Sequence, residues 1–142
     1  MRFWDSSAIV PLIVEEPSSE SCRDLLRTDS GIIVWSLTRL EIVSALRRKQ
    51  REQNVSPEHF RSAIQRLDSV QRAWSEVDAV EPVTRRAERL LGTHVLRAAD
   101  ALQLAAALII SQERTAGFEF VTRDKQLFRA IDAEGFMPIC PD

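Results

Sequence analysis

Apolar residues of this chain fall into short continuous runs and longer segments with helical spacing. The run at 32–35 predicts a buried strand, the short segments at 3–4, 118–121 and 137–139 predict further strands, and residues 77–80 predict a weaker one. The longer segments predict helices, which we place at residues 8–14, 18–28, 36–52, from 56 onward, 82–92, 98–112 and 124–134. Segment 8–14 is ambiguous because its β-branched residues favour a strand, whereas Pro11 suits the first turns of a helix. We predict a helix there.

Serines precede three of the predicted helices and are candidate N-caps. Ser6-Ser7 precedes the first helix, Ser36 the third, and Ser56 is followed by proline at the first helical position. Strands that alternate with helices predict an α/β domain with a mostly parallel sheet, which we expect to span residues 1–142 as a single domain. Ligands of such sheets bind beyond the carboxyl ends of the strands, where Asp5 and residues 122–124 lie.

Composition is that of an ordinary globular protein, with 44% apolar and 28% charged residues among 142 and a net charge of −2. Cys22 and Cys140 lack zinc-ligand spacing, so we interpret them as reduced thiols. The amino terminus lacks a signal-peptide layout, and no apolar run is long enough to span a bilayer. We therefore expect a cytoplasmic protein with no membrane association.

Basic residues are clustered although the net charge is acidic. One cluster lies within residues 47–51 and a second within residues 85–97. Such runs are usually solvated helix faces. They would contact a phosphate backbone only if they flanked an acidic pocket.

Four carboxylates lie beside apolar residues, where a charge loses hydration and needs a cation or several hydrogen bonds: Asp5, Glu41, Asp100 and Asp124. Asp100 is the clearest anomaly, because it is the only charge in the apolar helix 98–110. Each acid also has a purely structural interpretation. Asp5, Asp100 and Asp124 stand where a carboxylate caps a helix, and Glu41 could pair with a surface arginine.

Taken together, the four acids predict a Mg²⁺ site, with Mn²⁺ as the alternative, because hard divalent cations prefer oxygen ligands. A cation there would activate water, so no protein nucleophile is needed. His59 and His94 have no paired metal-ligand spacing and are interpreted as ordinary histidines.

Four motifs carry a resemblance to PIN-domain ribonucleases, particularly VapC-type toxins of toxin–antitoxin pairs. The chain resembles this family at residues 5–8 (DSSA), 40–42 (LEI), 97–107 (RAADALQLAAA) and 121–127 (VTRDKQL), in order and with similar spacing. The resemblance extends from residue 2 to about residue 139, and the third motif is its most specific part.

The resemblance implies a three-layer α/β/α sandwich, a homodimer and metal-dependent hydrolysis of RNA by the toxin of a type II pair. It implies that Asp5 and Asp100 are the principal metal ligands, that Glu41 completes the cluster and that Asp124 is a more variable fourth acid. Ser6 and Thr122 would support the carboxylates through hydrogen bonds. The implied partners are RNA and a VapB-type antitoxin.

Other classes of protein fit the motifs less well. A phospho-acceptor receiver needs paired acids after its first strand, where Asp5 is followed by serines, and a haloacid-type phosphatase needs an aspartate at the position of Ser7. The alternatives that stay open are a PIN-like nuclease in RNA maturation or acting on DNA, and a non-catalytic PIN-like partner protein.

Overall fold

The computed structural model describes residues 1–142 and contains one five-stranded sheet. Its strands are β1 (Arg2–Trp4), β2 (Ile32–Trp35), β3 (Trp74–Val77), β4 (Glu119–Val121) and β5 (Met137–Ile139). They lie in the order β3-β2-β1-β4-β5, and every neighbouring pair is parallel. Phe3 on the central strand is in register with Ile33 and with Phe120.

Seven helices connect the strands: α1 (Ser6–Ile13), α2 (Ser19–Thr28), α3 (Thr38–Gln53), α4 (Pro57–Ala73), α5 (Val80–Thr93), α6 (Ala98–Ile110) and α7 (Lys125–Ala133). The ambiguous segment at residues 8–14 is therefore helical, with Pro11 inside α1. No single helix is both long and apolar enough to cross a membrane, and the pair α5 and α6, which together reach that length, is bent by 118° at its junction.

Successive strand residues point to opposite faces of the sheet and divide the core into two clusters. Phe3 packs in a cluster with buried residues of α5, α6 and α7. Its neighbour Trp4 packs in the other cluster, with buried residues of α1 to α4. Helices thus cover both faces of a parallel sheet, which confirms the predicted three-layer α/β/α sandwich.

Three predicted details of the elements are wrong. The third strand is Trp74–Val77 and not 77–80, because only its two end residues are buried and it gives no apolar run. Ser36 does not cap α3. Its backbone N–H instead donates to the Val77 carbonyl at 3.1 Å, and Leu37 occupies the N-cap position. At α1 the cap is Asp5, whereas the serine cap at Ser56 is confirmed.

Candidate active site

A cleft of about 420 Å³ opens beyond the carboxyl ends of β1 and β4. It is walled by α1, α3, the start of α6 and the turn before α7. Most of its lining is polar or charged, and it comprises Ser6, Ser7, Val10, Leu40, Glu41, Ser44, Ala45, Arg48, Arg97, Ala99, Asp100 and Asp124. Three of the four predicted acids therefore line one cleft, at the edge of the sheet where the sequence places it.

Asp5, the fourth acid, does not line the cleft and is only 3% exposed. Its carboxylate accepts hydrogen bonds from the Ser7 N–H at 2.5 Å, from the Ser7 hydroxyl at 2.9 Å and from the Thr122 hydroxyl. Burial raises the pKa of Asp5, and the charge of Asp124 adds to the rise. The three hydrogen bonds lower the pKa but do not cancel the effect of burial. Asp5 therefore both caps α1 and places a carboxylate beneath the cleft.

Thr122 joins two of the acids. Its buried hydroxyl donates to Asp5 and accepts the backbone N–H of Asp124 at 3.0 Å. The Asp124 side chain accepts the Leu127 N–H at 2.8 Å and thereby caps α7. The capping interpretation of Asp124 is correct, and the same residue lines the cleft.

Glu41 lies in the first turn of α3 and makes no ion pair, so its interpretation as a surface glutamate paired with arginine is wrong. Its carboxylate accepts hydrogen bonds from the Gln103 amide and, at 3.3 Å, from the Ser6 hydroxyl. Burial raises the pKa of Glu41 to about 7, and the charges of Asp5 and Asp100 contribute. Ser6 also lies 3.4 Å from Asp5, so its hydroxyl lies between two of the acids.

Asp100 lies in the first turn of α6 and accepts no hydrogen bond from any group of the chain. Helix α6 begins without a side-chain cap, so the capping interpretation of Asp100 is wrong. Burial raises the pKa of Asp100 to about 6, the charges of Asp124 and Asp5 add to the rise, and Arg97 opposes it. Among the predicted acids, Asp100 is the one whose oxygens are left free of protein partners.

The donor set suits a hydrated divalent cation better than a closed protein cage. No three His, Cys, Asp or Glu side chains of the chain are arranged closely enough to enclose a metal ion by themselves. Mg²⁺ commonly binds through one or two carboxylates and retains several waters. Glu41 and Asp100 line the cleft and could supply those oxygens, and burial together with the neighbouring carboxylates raises the pKa of both.

Sequence reasoning missed three residues that hold the acids in place. Ser7 donates to Asp5 and accepts the Arg123 N–H at 2.8 Å. Gln103, only 1% exposed, donates to Glu41 and, at 3.1 Å, to the buried Thr38 hydroxyl. The signal for Gln103 was available, because it is a lone amide in an apolar helix, one turn after Asp100. Thr38 gave no such signal.

One arginine from each basic cluster reaches the cleft, Arg48 from the first and Arg97 from the second. Four other cluster members have partners elsewhere. Arg47 packs 3.8 Å over the Phe60 ring, Lys49 pairs with Glu16, and Arg85 and Arg86 pair with glutamates. His59 and His94 do not line the cleft.

Comparison with known proteins gives consistent matches over the whole chain. The family model described as the PIN domain matches residues 2–134. Ribonuclease VapC47 of Mycobacterium tuberculosis is 32% identical over 145 residues, which cover 99% of this chain and 97% of the relative.

Two solved structures have the same fold at low identity. VapBC2 from Rickettsia felis, bound to a DNA fragment from its promoter, superposes with a TM-score of 0.70 at 15% identity, covering 99% of this chain and 98% of that one. A toxin–antitoxin complex from Klebsiella pneumoniae gives a TM-score of 0.64 at 16% identity, covering 90% of each chain. Both confirm the fold.

Proposed function

This chain belongs to the PIN-domain family, and we propose that it is a divalent-metal-dependent endoribonuclease that serves as the toxin of a type II toxin–antitoxin pair. One observation carries the proposal. Glu41, Asp100 and Asp124 line a single cleft above the buried Asp5, and two of them keep raised pKa values in the absence of any paired arginine or lysine. Such a cluster suits phosphodiester hydrolysis assisted by a cation.

Nucleophilic catalysis by the protein itself fits the cleft less well. No histidine lines it to activate a serine, and the hydroxyls of Ser6 and Ser7 donate to the carboxylates of Glu41 and Asp5, which they help to hold in place. The acids therefore remain the candidates for the chemistry.

A divalent cation, Mg²⁺ or Mn²⁺, would supply a Lewis acid that activates water and stabilises charge on the phosphate. Asp100 and Glu41 would offer it oxygens from two different helices, α6 and α3. Asp5, which the resemblance implies as a principal ligand, would instead add negative charge from below, because its carboxylate is held by Ser7 and Thr122. Asp124 would contribute a fourth carboxylate, held in place by its own cap on α7.

The substrate and partner rest on the relatives. The curated relative is named a ribonuclease, and a structure of the same fold is a toxin–antitoxin complex. We extend both properties to this chain, with RNA as substrate and a VapB-type antitoxin as inhibitor. We further propose a homodimer as the assembly and the cytoplasm as the compartment. Residues 1–142 would act as one domain.

Controlled expression in a bacterial host tests the toxin role. Wild-type protein should arrest growth and produce new internal RNA ends, whereas Asp5→Asn and Asp100→Asn should do neither at equal protein levels. Equal toxicity and identical RNA profiles in all three would contradict the catalytic proposal. New RNA ends without growth arrest would instead favour an RNA-maturation nuclease. A short overlapping upstream gene would be expected to encode the antitoxin and to suppress the arrest.

A further inference from the structure

Two arginines of the acidic cleft have no partner within the chain. Arg48 projects from α3 and Arg97 stands at the N-cap position of α6, and they are the only basic side chains that line the cleft. Neither makes a side-chain hydrogen bond or an ion pair, although Glu41, Asp100 and Asp124 line the same cleft. Some other arginines, such as Arg51 and Arg89, are also unpaired but lie outside the cleft, so it is their position that distinguishes Arg48 and Arg97.

The two arginines accompany the acids on the same two helices. Arg48 follows Glu41 by seven residues, which is about 10 Å along the helix at roughly 1.5 Å per residue. Arg97 precedes Asp100 by three residues and lies close enough for its charge to oppose the rise in the pKa of that carboxyl. Each helix therefore presents one acid and one free guanidinium to the cleft.

A cleft lined by three carboxylates repels a polyanion, so a nucleic acid needs compensating positive charge to enter it. A guanidinium without an internal partner can bind a phosphate through two parallel hydrogen bonds and pays no cost for breaking an ion pair. The volume of about 420 Å³ falls within the range of small-molecule pockets, which fits a segment of single strand better than a duplex.

We propose that Arg48 and Arg97 are two phosphate contacts that hold a single-stranded RNA backbone across the cleft, one contributed by each helix that carries an acid. This inference rests on the proposed ribonuclease function. Arg97 contacts the backbone beside Asp100, and Arg48 contacts it about two helical turns beyond Glu41. Both contacts are to phosphate, so they position the strand without reading its sequence.

The test is binding of a fluorescently labelled single-stranded RNA to the full chain in EDTA, measured by fluorescence anisotropy over a series of KCl concentrations. Arg48→Gln and Arg97→Gln should each weaken binding roughly five-fold and lower the slope of log affinity against log salt by about 0.7, the value for one lost phosphate contact on a single strand. The double variant should lose both phosphate contacts. A second RNA of different sequence should give the same changes in affinity and slope.

Matched controls remove the same charge outside the cleft. These controls are Arg51→Gln and Arg89→Gln. Arg51 lies on α3 and Arg89 on α5, and neither residue lines the cleft. Both should keep the wild-type slope. Melting temperatures close to wild type will show that the exposed substitutions leave the fold intact.

The inference would be overturned if the cleft variants had the same slope of log affinity against log salt as wild type and the controls. It would also be overturned if wild type bound no RNA at low salt. The two proposals fail separately. Cleavage of RNA with unchanged slopes in both cleft variants would contradict the phosphate contacts alone. Binding through both arginines without cleavage in Mg²⁺ would contradict the nuclease alone.

Discussion

The side-chain amide of Gln103 donates hydrogen bonds to both carboxylate oxygens of Glu41, at 2.9 and 3.2 Å. This contact joins α6 to α3 directly beside the cleft. Gln103 is almost completely buried, and its carbonyl oxygen has no hydrogen-bond partner. A buried unpaired acceptor is unfavourable, so the benefit of this amide lies in the orientation that it gives Glu41.

Replacement of Gln103 by leucine should weaken cation binding without unfolding the protein. Leucine fills a similar volume but cannot donate to Glu41, and loss of a partner that orients a ligand typically lowers metal affinity by about 10- to 100-fold. Calorimetric titration with Mn²⁺ measures this effect. Gln65→Leu, the same change on an exposed face of α4, is the control. Equal Mn²⁺ affinity in wild type and Gln103→Leu would show that Gln103 has no positioning role.

In EDTA, the contribution of Glu41 and Asp100 to the free energy of unfolding should fall as the pH rises from about 4 to about 7. The pKa values of Glu41 and Asp100 are raised to about 7 and about 6, so the folded protein binds more protons than the unfolded chain in this range. Below the pKa values of the unfolded chain, both carboxyls are protonated in the folded and the unfolded state and do not lower the free energy of unfolding. As the pH increases through the folded pKa values, ionisation of the two carboxyls destabilises the fold.

Asp100→Asn isolates one of these contributions. At pH 8 in EDTA the variant should melt roughly 3 °C above wild type, because it removes a charge from a repulsive cluster, and the difference should vanish near pH 4. Thermal unfolding followed by circular dichroism across this pH range is sufficient. Asp78→Asn, in an exposed loop, should leave the curve unchanged. A variant that is less stable than wild type at pH 8 would contradict the raised pKa of Asp100.

Thr122→Val should destabilise the protein by about 1–3 kcal/mol, the usual cost of leaving buried polar groups without a partner. The hydroxyl donates to Asp5 and accepts the Asp124 N–H, and valine has the same shape without either capability. Urea denaturation measures the change. Thr122→Ser retains the hydroxyl and should recover most of the loss. If Thr122→Ser were as unstable as Thr122→Val, packing rather than hydrogen bonding would explain the effect.

Much of the fold follows from local pattern. The run at 32–35 is apolar because β2 lies inside a sheet covered on both faces, and this burial is visible in the sequence. Edge strand β3 is different. Its exposed Ser75 and Glu76 interrupt the apolar pattern, and only pairing with β2, 42 residues earlier in the chain, defines it.

The same distinction applies to the site. Asp100 stands out because a charge in an apolar helix is locally improbable. Arg48 and Arg97 do not stand out from their clusters, since their position in the cleft depends on how α3 and α6 pack. The hydroxyl of Ser7 and the amide of Gln103 gain their roles only through contacts distant in sequence, with Arg123 and Glu41.

Cleavage of RNA by the purified protein tests the central claim most directly. A structured cellular RNA is incubated with wild type, Asp100→Asn or Asp78→Asn, with EDTA or with added Mg²⁺ or Mn²⁺, and the products are resolved by gel electrophoresis. Wild type and Asp78→Asn should cut internal bonds only with added cation. Asp100→Asn should be slower by about 100-fold or more, since a lost cation contact costs several kcal/mol of transition-state stabilisation. Cation-independent cleavage at equal rates in wild type and Asp100→Asn would contradict the account.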